Sequence, residues 1–216
     1  MLEKKQIINE PVSSNCYLLY NMAVGRECII VDPGSKSDDV VIAFINNDNL
    51  IPKYIVLTHE HFDHCWGVNE LVERYHIPVV CSELCAECIK YEKRNCSVFY
   101  DNKERFVITS KTISVESLNY VLPFGGSELR FFDSPGHTNA SICIAVGQSL
   151  FTGDTLIKDL RTVTKLPTGS VAKLQQTKDV LHGLQGKGYI VYPGHGDVFE
   201  LDGYDLNLMF KGEIPK

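Results

Sequence analysis

The sequence predicts an α/β fold in which helices pack outside two β-sheets. Short apolar runs rich in β-branched and aromatic residues recur along the chain, as is typical of buried strands. Apolar residues at helical spacing follow some of these runs, and the strands come in consecutive groups. We expect a single domain that spans residues 1–216.

The N-terminal half alternates predicted strands and helices. The strands are CYLLY, CIIVD, YIVLT and IPVVC. Ser37 is expected to cap a helix that runs to about Asn47. A second helix is expected to have an apolar face formed by Val68, Leu71, Val72 and Tyr75. A third helix is expected in the short segment SELCAECIK.

The C-terminal half contains four further predicted strands. Residues 93–119 give a weak signal that indicates loops and a hairpin. One helix is expected from about Val171 to Leu184, between the last two strands. The strands are ELRFFDSP, SICIAVG, SLFTGD and GYIVYPG.

Composition narrows the function classes. The chain is 44% hydrophobic and 22% charged, with a formal net charge of −6, so electrostatics give no case for a nucleic-acid or membrane partner. No apolar run is long enough to span a bilayer, and the N-terminus lacks the apolar centre of a signal peptide. We therefore expect a cytoplasmic protein; the sequence does not set its oligomeric state.

The segment THEHFDH, residues 58–64, is the strongest functional signal. Side chains two positions apart in an extended segment project to the same side, so His59 and His61 can converge on one ion. A change of backbone direction would aim Asp63 and His64 at a second point nearby. Imidazole and carboxylate together suit zinc, iron or manganese.

Further metal-ligand candidates follow other predicted strands. His137 lies in DSPGHT, Asp154 in FTGD and His195 in YPGHG. Each sits beside a glycine, which lets backbone and ligand approach closely. Ligands from several strand ends can meet on one rim of a sheet core.

The ordered set VDPG, THEHFDH, PGHT, GD and GHG resembles the metallo-β-lactamase superfamily, and within it the glyoxalase II-like (hydroxyacylglutathione hydrolase-like) metal-dependent hydrolases. The resemblance runs from about Asn15 to Val198. It implies an αββα four-layer sandwich with a metal site at one edge of the two sheets. It also implies two divalent ions, zinc in the first place, with iron or manganese as alternatives.

The resemblance also assigns roles to individual residues. Asp32 and Thr58 would orient the histidine segment by hydrogen bonds, although Asp32 fits equally well as a turn residue before Pro33. Asp154 would bridge the two ions. The first ion would be held by His59, His61 and His137, and the second by Asp63, His64 and His195.

The expected reaction is hydrolysis of an acyl compound. Two ions about 3.5–4 Å apart lower the pKa of a shared water from 15.7 toward about 7. The hydroxide would attack an acyl carbon, and Asp63 or Asp154 would steer it. A thioester is the first choice of substrate, with a lactone or another ester as the alternative.

Four features of the sequence bear on the identity of the substrate. β-Lactamases of the superfamily commonly have a cysteine ligand at the position of Asp154, which argues against β-lactam hydrolysis. About twenty residues follow His195, so we expect no C-terminal extension of the kind that binds glutathione in glyoxalase II. Arg161 matches an arginine of short thioesterase-like members, whereas the aspartate that follows it there is absent. Phe99 and Tyr100 are candidates for a pocket wall, or equally for rim or core aromatics.

Two interpretations from other classes stay open. Persulfide dioxygenases share this fold and much of the motif but use a single iron. A non-enzymatic metal-binding or partner-binding protein is disfavoured because the ligand set is complete.

The cysteines offer a second metal hypothesis. The spacing C-x3-C-x2-C-x7-C lacks paired C-x2-C knuckles, so core packing is favoured over a structural zinc site. This hypothesis concerns Cys81, Cys85, Cys88 and Cys96. Cys65 is expected to pack under the ligand loop, and Cys16, Cys28 and Cys143 in the core.

Overall fold

A computed structural model describes residues 2–100, 103–115 and 120–214. It contains two six-stranded sheets. The first sheet has the order β1-β2-β3-β4-β5-β6, formed by Glu3–Ile8, Asn15–Tyr20, Glu27–Val31, Ile51–Val56, Val79–Ser82 and Thr112–Val115. The second has the order β12-β11-β10-β9-β8-β7, where β7 to β12 are Val121–Phe124, Ser127–Asp133, Ile142–Val146, Ser149–Gly153, Ile190–Pro193 and Phe199–Glu200.

Seven helices accompany these strands in the described part of the chain. They are α1 to α7, formed by Asp39–Asn47, Phe62–Cys65, Val68–Tyr75, Glu83–Cys88, Ser97–Tyr100, Val171–His182 and Leu208–Lys211. Among the described residues, no helix is both long and apolar enough to cross a membrane.

Apolar residues on the two faces of a strand pack against different layers of the fold, one face against helices and the other against the second sheet. Leu18 of β2 packs with helices α1 and α3, whereas the next residue, Leu19, packs between the sheets with residues such as Phe131. On the far side, Leu174 of α6 packs against the second sheet. Strands β3 and β9 are buried on both faces, and their sequences contain the continuous apolar runs CIIV and ICIAV. The expected αββα sandwich is confirmed.

Parallel pairing brings several strand ends to one edge. In the first sheet β3, β4, β5 and β6 run parallel, and in the second β10 is parallel to β11. The sheets are joined there by backbone hydrogen bonds: Ile142 N donates to Thr58 O over 2.9 Å, and Asn15 N to Gly194 O over 2.7 Å. The segments that carry the predicted ligands emerge at this edge.

Some local predictions were wrong. Ser37 does not cap α1: the N-cap residue is Asp38, and the Ser37 hydroxyl donates to Asp39 over 2.8 Å. By contrast, Cys81 lies in strand β5, as the predicted strand IPVVC indicates, and helix α4 begins at Glu83 with a Ser82 side-chain cap.

The prediction for residues 93–119 was also only partly right. Its described part holds the short helix α5 and strand β6, which pairs in parallel with β5, and no hairpin. The hairpin lies just beyond it, where β7 and β8 pair antiparallel. Residues 101–102 and 116–119 of this region lie outside the described residues.

Candidate metal centre

The candidate site is built on the ends of five strands. Asp32 directly follows β3, and residues 58–64 follow β4. From the second sheet, His137 follows β8, Asp154 follows β10 and His195 follows β11. The backbone is extended at His61 (φ −63°, ψ 146°), and helix α2 then begins, which turns Asp63 and His64 away from the line of the first two histidines.

The first group of donors is His59, His61 and His137. Each offers one ring nitrogen, and these atoms lie within 4.8 Å of one another. His137 Nε2 is 2.9 Å from His61 Nδ1. All three side chains are at most 4% exposed. His59 and His61 therefore converge as the sequence predicts, and the third histidine of the group, His137, comes from the second sheet.

The second group is Asp63, His64 and His195, whose donor atoms again lie within 4.8 Å of one another. Asp63 Oδ2 is 3.3 Å from His195 Nε2 and 3.7 Å from His64 Nε2. The rings of His59 and His64 are 4.3 Å apart between centroids, so the two groups adjoin.

Asp154 lies between the two groups. Its Oδ1 is 3.3 Å from His64 Nε2 and 3.6 Å from His195 Nε2. Its Oδ2 is 3.6 Å from His137 Nε2, on the side of the first group. One carboxylate oxygen thus faces each group, which is the arrangement that a bridging ligand needs.

Asp32 and Thr58 hold the histidine segment from below. Asp32 Oδ1 accepts the Thr58 N–H over 2.8 Å, and Asp32 Oδ2 accepts the Thr58 hydroxyl over 2.6 Å. Asp32 Oδ2 is also 3.1 Å from His64 Nδ1, and Thr58 Oγ1 is 3.1 Å from His59 Nδ1. Asp32, His59 and His64 also form a potential ligand group, but both Asp32 oxygens are engaged in these contacts. These are the contacts that a residue orienting the histidine segment would make, and this role of Asp32 stays a prediction.

Two backbone carbonyls fix the remaining histidines. Val163 O lies 2.8 Å from His137 Nδ1, and Ser13 O lies 3.1 Å from His195 Nδ1. Since a carbonyl can only accept, each Nδ1 carries the hydrogen, and the Nε2 lone pair faces the site. Sequence reasoning missed these two supports because any residue type supplies a carbonyl.

Gly194 makes room for the carboxylate. A Cβ at this position would lie 2.3 Å from Asp154 Oδ1 and 2.8 Å from His64 Cε1. The sequence prediction that a glycine beside His195 permits close approach agrees with this packing.

The donor set fits divalent metal ions. His59 Nε2, His64 Nε2 and Asp154 Oδ1 are buried atoms with no hydrogen-bond partner among the described residues. Buried polar atoms without a partner are rare, and an ion that they coordinate accounts for them. Nitrogen and carboxylate donors at these positions suit zinc and also iron or manganese.

The two groups of donors differ in the direction in which the pKa values of their histidines are shifted. Burial, together with the neighbouring histidines, lowers the pKa of His59 well below its usual value and that of His61 to about 3. Burial also lowers the pKa of His137. These imidazoles are neutral at pH 7, which is the form that binds metal.

In the second group the carboxylates prevail. Burial alone would lower the pKa of His64, but Asp154 and Asp63 outweigh it and raise that pKa well above its usual value. Burial likewise opposes ionisation of Asp154, yet His195 and His64 hold its pKa well below the usual range. Asp154 is therefore a carboxylate, able to bind cations.

Comparison with known proteins places the chain in a family. The sequence profile of the metallo-beta-lactamase superfamily matches residues 9–195. The chain belongs to the metallo-β-lactamase superfamily. A probable metallo-hydrolase of Methanocaldococcus jannaschii is 29% identical over 218 residues, covering 92% of this chain and 95% of that protein.

Solved structures agree with this superfamily assignment. The B3 metallo-beta-lactamase BLEG-1 superimposes with a TM-score of 0.83 at 26% identity, covering 92% of this chain and 94% of the other. TTHA1623, solved in a di-iron-bound form, superimposes with a TM-score of 0.73 at 26% identity, covering 91% of this chain and 94% of the other.

In this superfamily member, a cleft of about 650 Å³ opens onto the second group of donors. Asp63, Asp154 and His195 form part of its lining. Arg161 also lines it, as the sequence predicts for a pocket residue. Sequence reasoning missed the other residues that line the cleft. They are the loop Pro11–Ser13, the apolar residues Ile157, Leu160 and Val163 beyond β10, and Glu213 and Ile214 near the C-terminus.

Phe99 and Tyr100 do not line this cleft. Tyr100 packs against Phe62 and Trp66, with ring centroids 5.0 and 5.4 Å away, in an aromatic group beside the histidine segment. Phe99 is 66% exposed. The structure thus places Tyr100 next to the ligand loop but not in the cleft wall.

The cysteines pack in the core. All eight are free and buried. Among the described residues, convergent donor groups of three or more contain no cysteine. Cys81 and Cys85 share the core below helix α4, and Cys65 donates to Glu60 O over 3.4 Å under the ligand loop. This agrees with packing rather than a zinc site for Cys81, Cys85, Cys88 and Cys96.

Proposed function

We propose that the protein is a binuclear metal-dependent hydrolase, glyoxalase II-like, that cleaves a thioester. The observation that carries this is the place of Asp154, with one oxygen facing each of two adjacent donor groups. A second group of donors (Asp63, His64 and His195) would be superfluous in a site for one ion, so two ions are favoured over the single iron of a persulfide dioxygenase.

The chain's own residues hold and orient the reactants. When bound, two divalent ions supply a hydroxide at neutral pH and polarise a carbonyl oxygen. Asp63 and Asp154 both line the cleft, so their carboxylates can accept a hydrogen bond from the attacking water and orient it toward a substrate in the cleft. Leu160 and Val163 line the same cleft and make that part of its surface apolar.

A thioester is proposed because an aspartate, Asp154, stands where β-lactamases of this superfamily commonly have a cysteine ligand. The fold similarity to the B3 enzyme BLEG-1 keeps a β-lactam as the second candidate substrate. Lactones and other esters present the same acyl carbon and belong in the same assay.

The test combines metal analysis with a substrate panel. We expect about two ions per chain by elemental analysis, and turnover of S-lactoylglutathione or short acyl thioesters in preference to nitrocefin. Asp154→Ala should lose at least about 100-fold in kcat/KM together with metal content.

The matched control is Asp133→Ala, since Asp133 is an exposed aspartate at the end of β8 outside both donor groups. It should keep wild-type turnover. Normal turnover with normal metal content in Asp154→Ala would overturn the binuclear assignment, and one iron per chain with no hydrolysis would favour the dioxygenase. Nitrocefin turnover above that of every thioester would replace the thioester by a β-lactam.

A further inference from the structure

The C-terminal segment is attached to the loop that borders the candidate site. Glu213 N donates to Asp159 O over 3.0 Å, and Arg161 N donates back to Glu213 O over 2.8 Å. Thr162 N donates to Met209 O over 2.9 Å, and Met209 is buried against the second sheet. The segment from helix α7 to Ile214 is therefore held in register beside the residues that follow β10.

These backbone hydrogen bonds fix the position of Ile214, but its side chain is not buried in the core. Its side chain is 74% exposed, the highest value among the large apolar residues described. It lines the cleft that contains Asp63, Asp154 and His195, and also the smaller adjoining cavity beside Arg161. An exposed isoleucine fixed at the rim of a candidate active site is positioned to contact a bound molecule.

The cleft is mainly apolar on this side. Ile157, Leu160, Val163 and Ile214 form one wall, and Pro11 and Val12 lie in the other. Its volume of about 650 Å³ lies in the ordinary range for small-molecule sites. Asp63 and Asp154 line the same cleft, so a molecule in it would lie near the proposed reaction centre.

The charges at the rim do not favour a charged occupant. Arg161 and Glu213 line the same cleft with opposite formal charges. Within the described ranges neither side chain forms an ion pair or hydrogen bond. A ligand arm of either sign would meet one attractive and one repulsive group, whereas an aliphatic arm gains from the apolar wall.

We propose that Ile214 is a specificity-determining residue that packs against an aliphatic arm of the substrate. The C-terminal segment thus serves as a wall of the substrate cleft. This inference rests on the proposed hydrolase site for its substrate class, a thioester with a straight aliphatic acyl chain, but the wall itself can be tested by binding alone.

The probes are S-alkyl thioethers of N-acetylcysteamine with ethyl, butyl and hexyl chains, which are uncharged and have no acyl carbon to attack. Their affinity for the zinc-loaded protein is measured by NMR titration. For the wild type we expect affinity to rise about two- to fourfold for each added methylene. Ile214→Ala should weaken binding of the hexyl probe about three- to tenfold and flatten the series, and Ile214→Leu should restore it.

The matched control is Ile51→Ala. Ile51 is 52% exposed and begins strand β4, whose other end leads to the histidine segment. It should leave the series unchanged. A flat series in the wild type, or an unchanged slope in Ile214→Ala, would overturn the proposal.

The two proposals fail separately. If the affinity depends on alkyl chain length in the wild type but not in Ile214→Ala, and the protein hydrolyses none of the thioesters, the thioesterase proposal fails and the proposal for Ile214 stands. Thioester hydrolysis with a flat binding series would do the reverse.

Discussion

Replacing Asp32 by asparagine tests whether this residue orients the metal ligands. Asp32 is 2% exposed and accepts from the Thr58 N–H and hydroxyl, and it faces His64 Nδ1 at 3.1 Å. Asparagine tolerates the left-handed φ of 51° that Asp32 adopts. The substitution therefore changes the charge and one acceptor while it keeps the shape.

The expected magnitude follows from the hydrogen bonds that asparagine is unable to accept. The Oδ2 atom of Asp32 serves both the Thr58 hydroxyl and His64 Nδ1, and an amide nitrogen in its place can accept from neither. A hydrogen bond to a charged group is worth about 1.5–3 kcal/mol. Removing a residue that orients a metal ligand typically lowers metal affinity about 10–100-fold, or about 1.4–2.8 kcal/mol.

The assay is zinc affinity of the metal-free protein, measured by competition with a chromogenic chelator at pH 7.5. The control is Asp38→Asn, the same substitution at a buried aspartate whose carboxyl oxygens have no hydrogen-bond partner among the described residues. Wild-type zinc affinity in Asp32→Asn, or an equal loss in Asp38→Asn, would refute the orienting role.

Three further predictions concern stability and reactivity. Burial, and then the charges of Glu70 and Asp39, raise the pKa of Asp38 to about 8, so the folded state binds a proton that the unfolded chain releases near pH 4; stability is lost as the pH rises toward 8. Urea unfolding of the metal-free proteins should therefore show that the stability of Asp38→Asn relative to the wild type rises by about 3 kcal/mol between pH 5 and pH 7. A pH-independent difference would contradict this. At Gly153 (φ +49°) a Cβ would lie 2.3 Å from Thr58 Oγ1. Gly147 has a similar φ of +53°, but a Cβ there would meet nothing within 4 Å. Gly153→Ala should therefore destabilise the fold by about 1–3 kcal/mol more than Gly147→Ala. Equal losses in thermal unfolding would argue against the clash. Because burial raises the pKa of Cys65 and raises that of Cys143 to about 12, Ellman's reagent should label fewer than about one thiol per native chain and all eight only in denaturant; rapid native labelling of several thiols would show that the core opens.

The parts of the fold that sequence reasoning found are those with one dominant physical signal. Strands β2, β3 and β9 are buried along almost their whole length, and each contains a continuous apolar run in the sequence: CYLLY, CIIV and ICIAV. The candidate ligands were found because histidine is rare in the chain and concentrates at strand ends. Their convergence across two sheets came from the family resemblance, since spacing along the chain cannot show it.

The parts that were missed lack such a signal. Strand β1, with the sequence EKKQII, is mostly exposed and polar, as edge strands often are, and β7 contains Pro123. The carbonyls of Ser13 and Val163 support His195 and His137 through atoms that every residue has. Ile214 reaches the cleft only because backbone pairing with residues 159–161 places it there.

Each proposed ion would draw ligands from both sheets. In the first group His59 and His61 come from the first sheet and His137 from the second; in the second group His195 joins Asp63 and His64 in the same way. A ligand that binds only the folded state stabilises it by RT ln(1 + [L]/Kd). Metal bound here would therefore stabilise the pairing of the two sheets at this edge, in addition to the hydrogen bonds from Ile142 to Thr58 and from Asn15 to Gly194. Metal affinity and closure of the sandwich edge are thus expected to be coupled, because the groups that would bind the ions are the ones that have to be brought together from the two sheets.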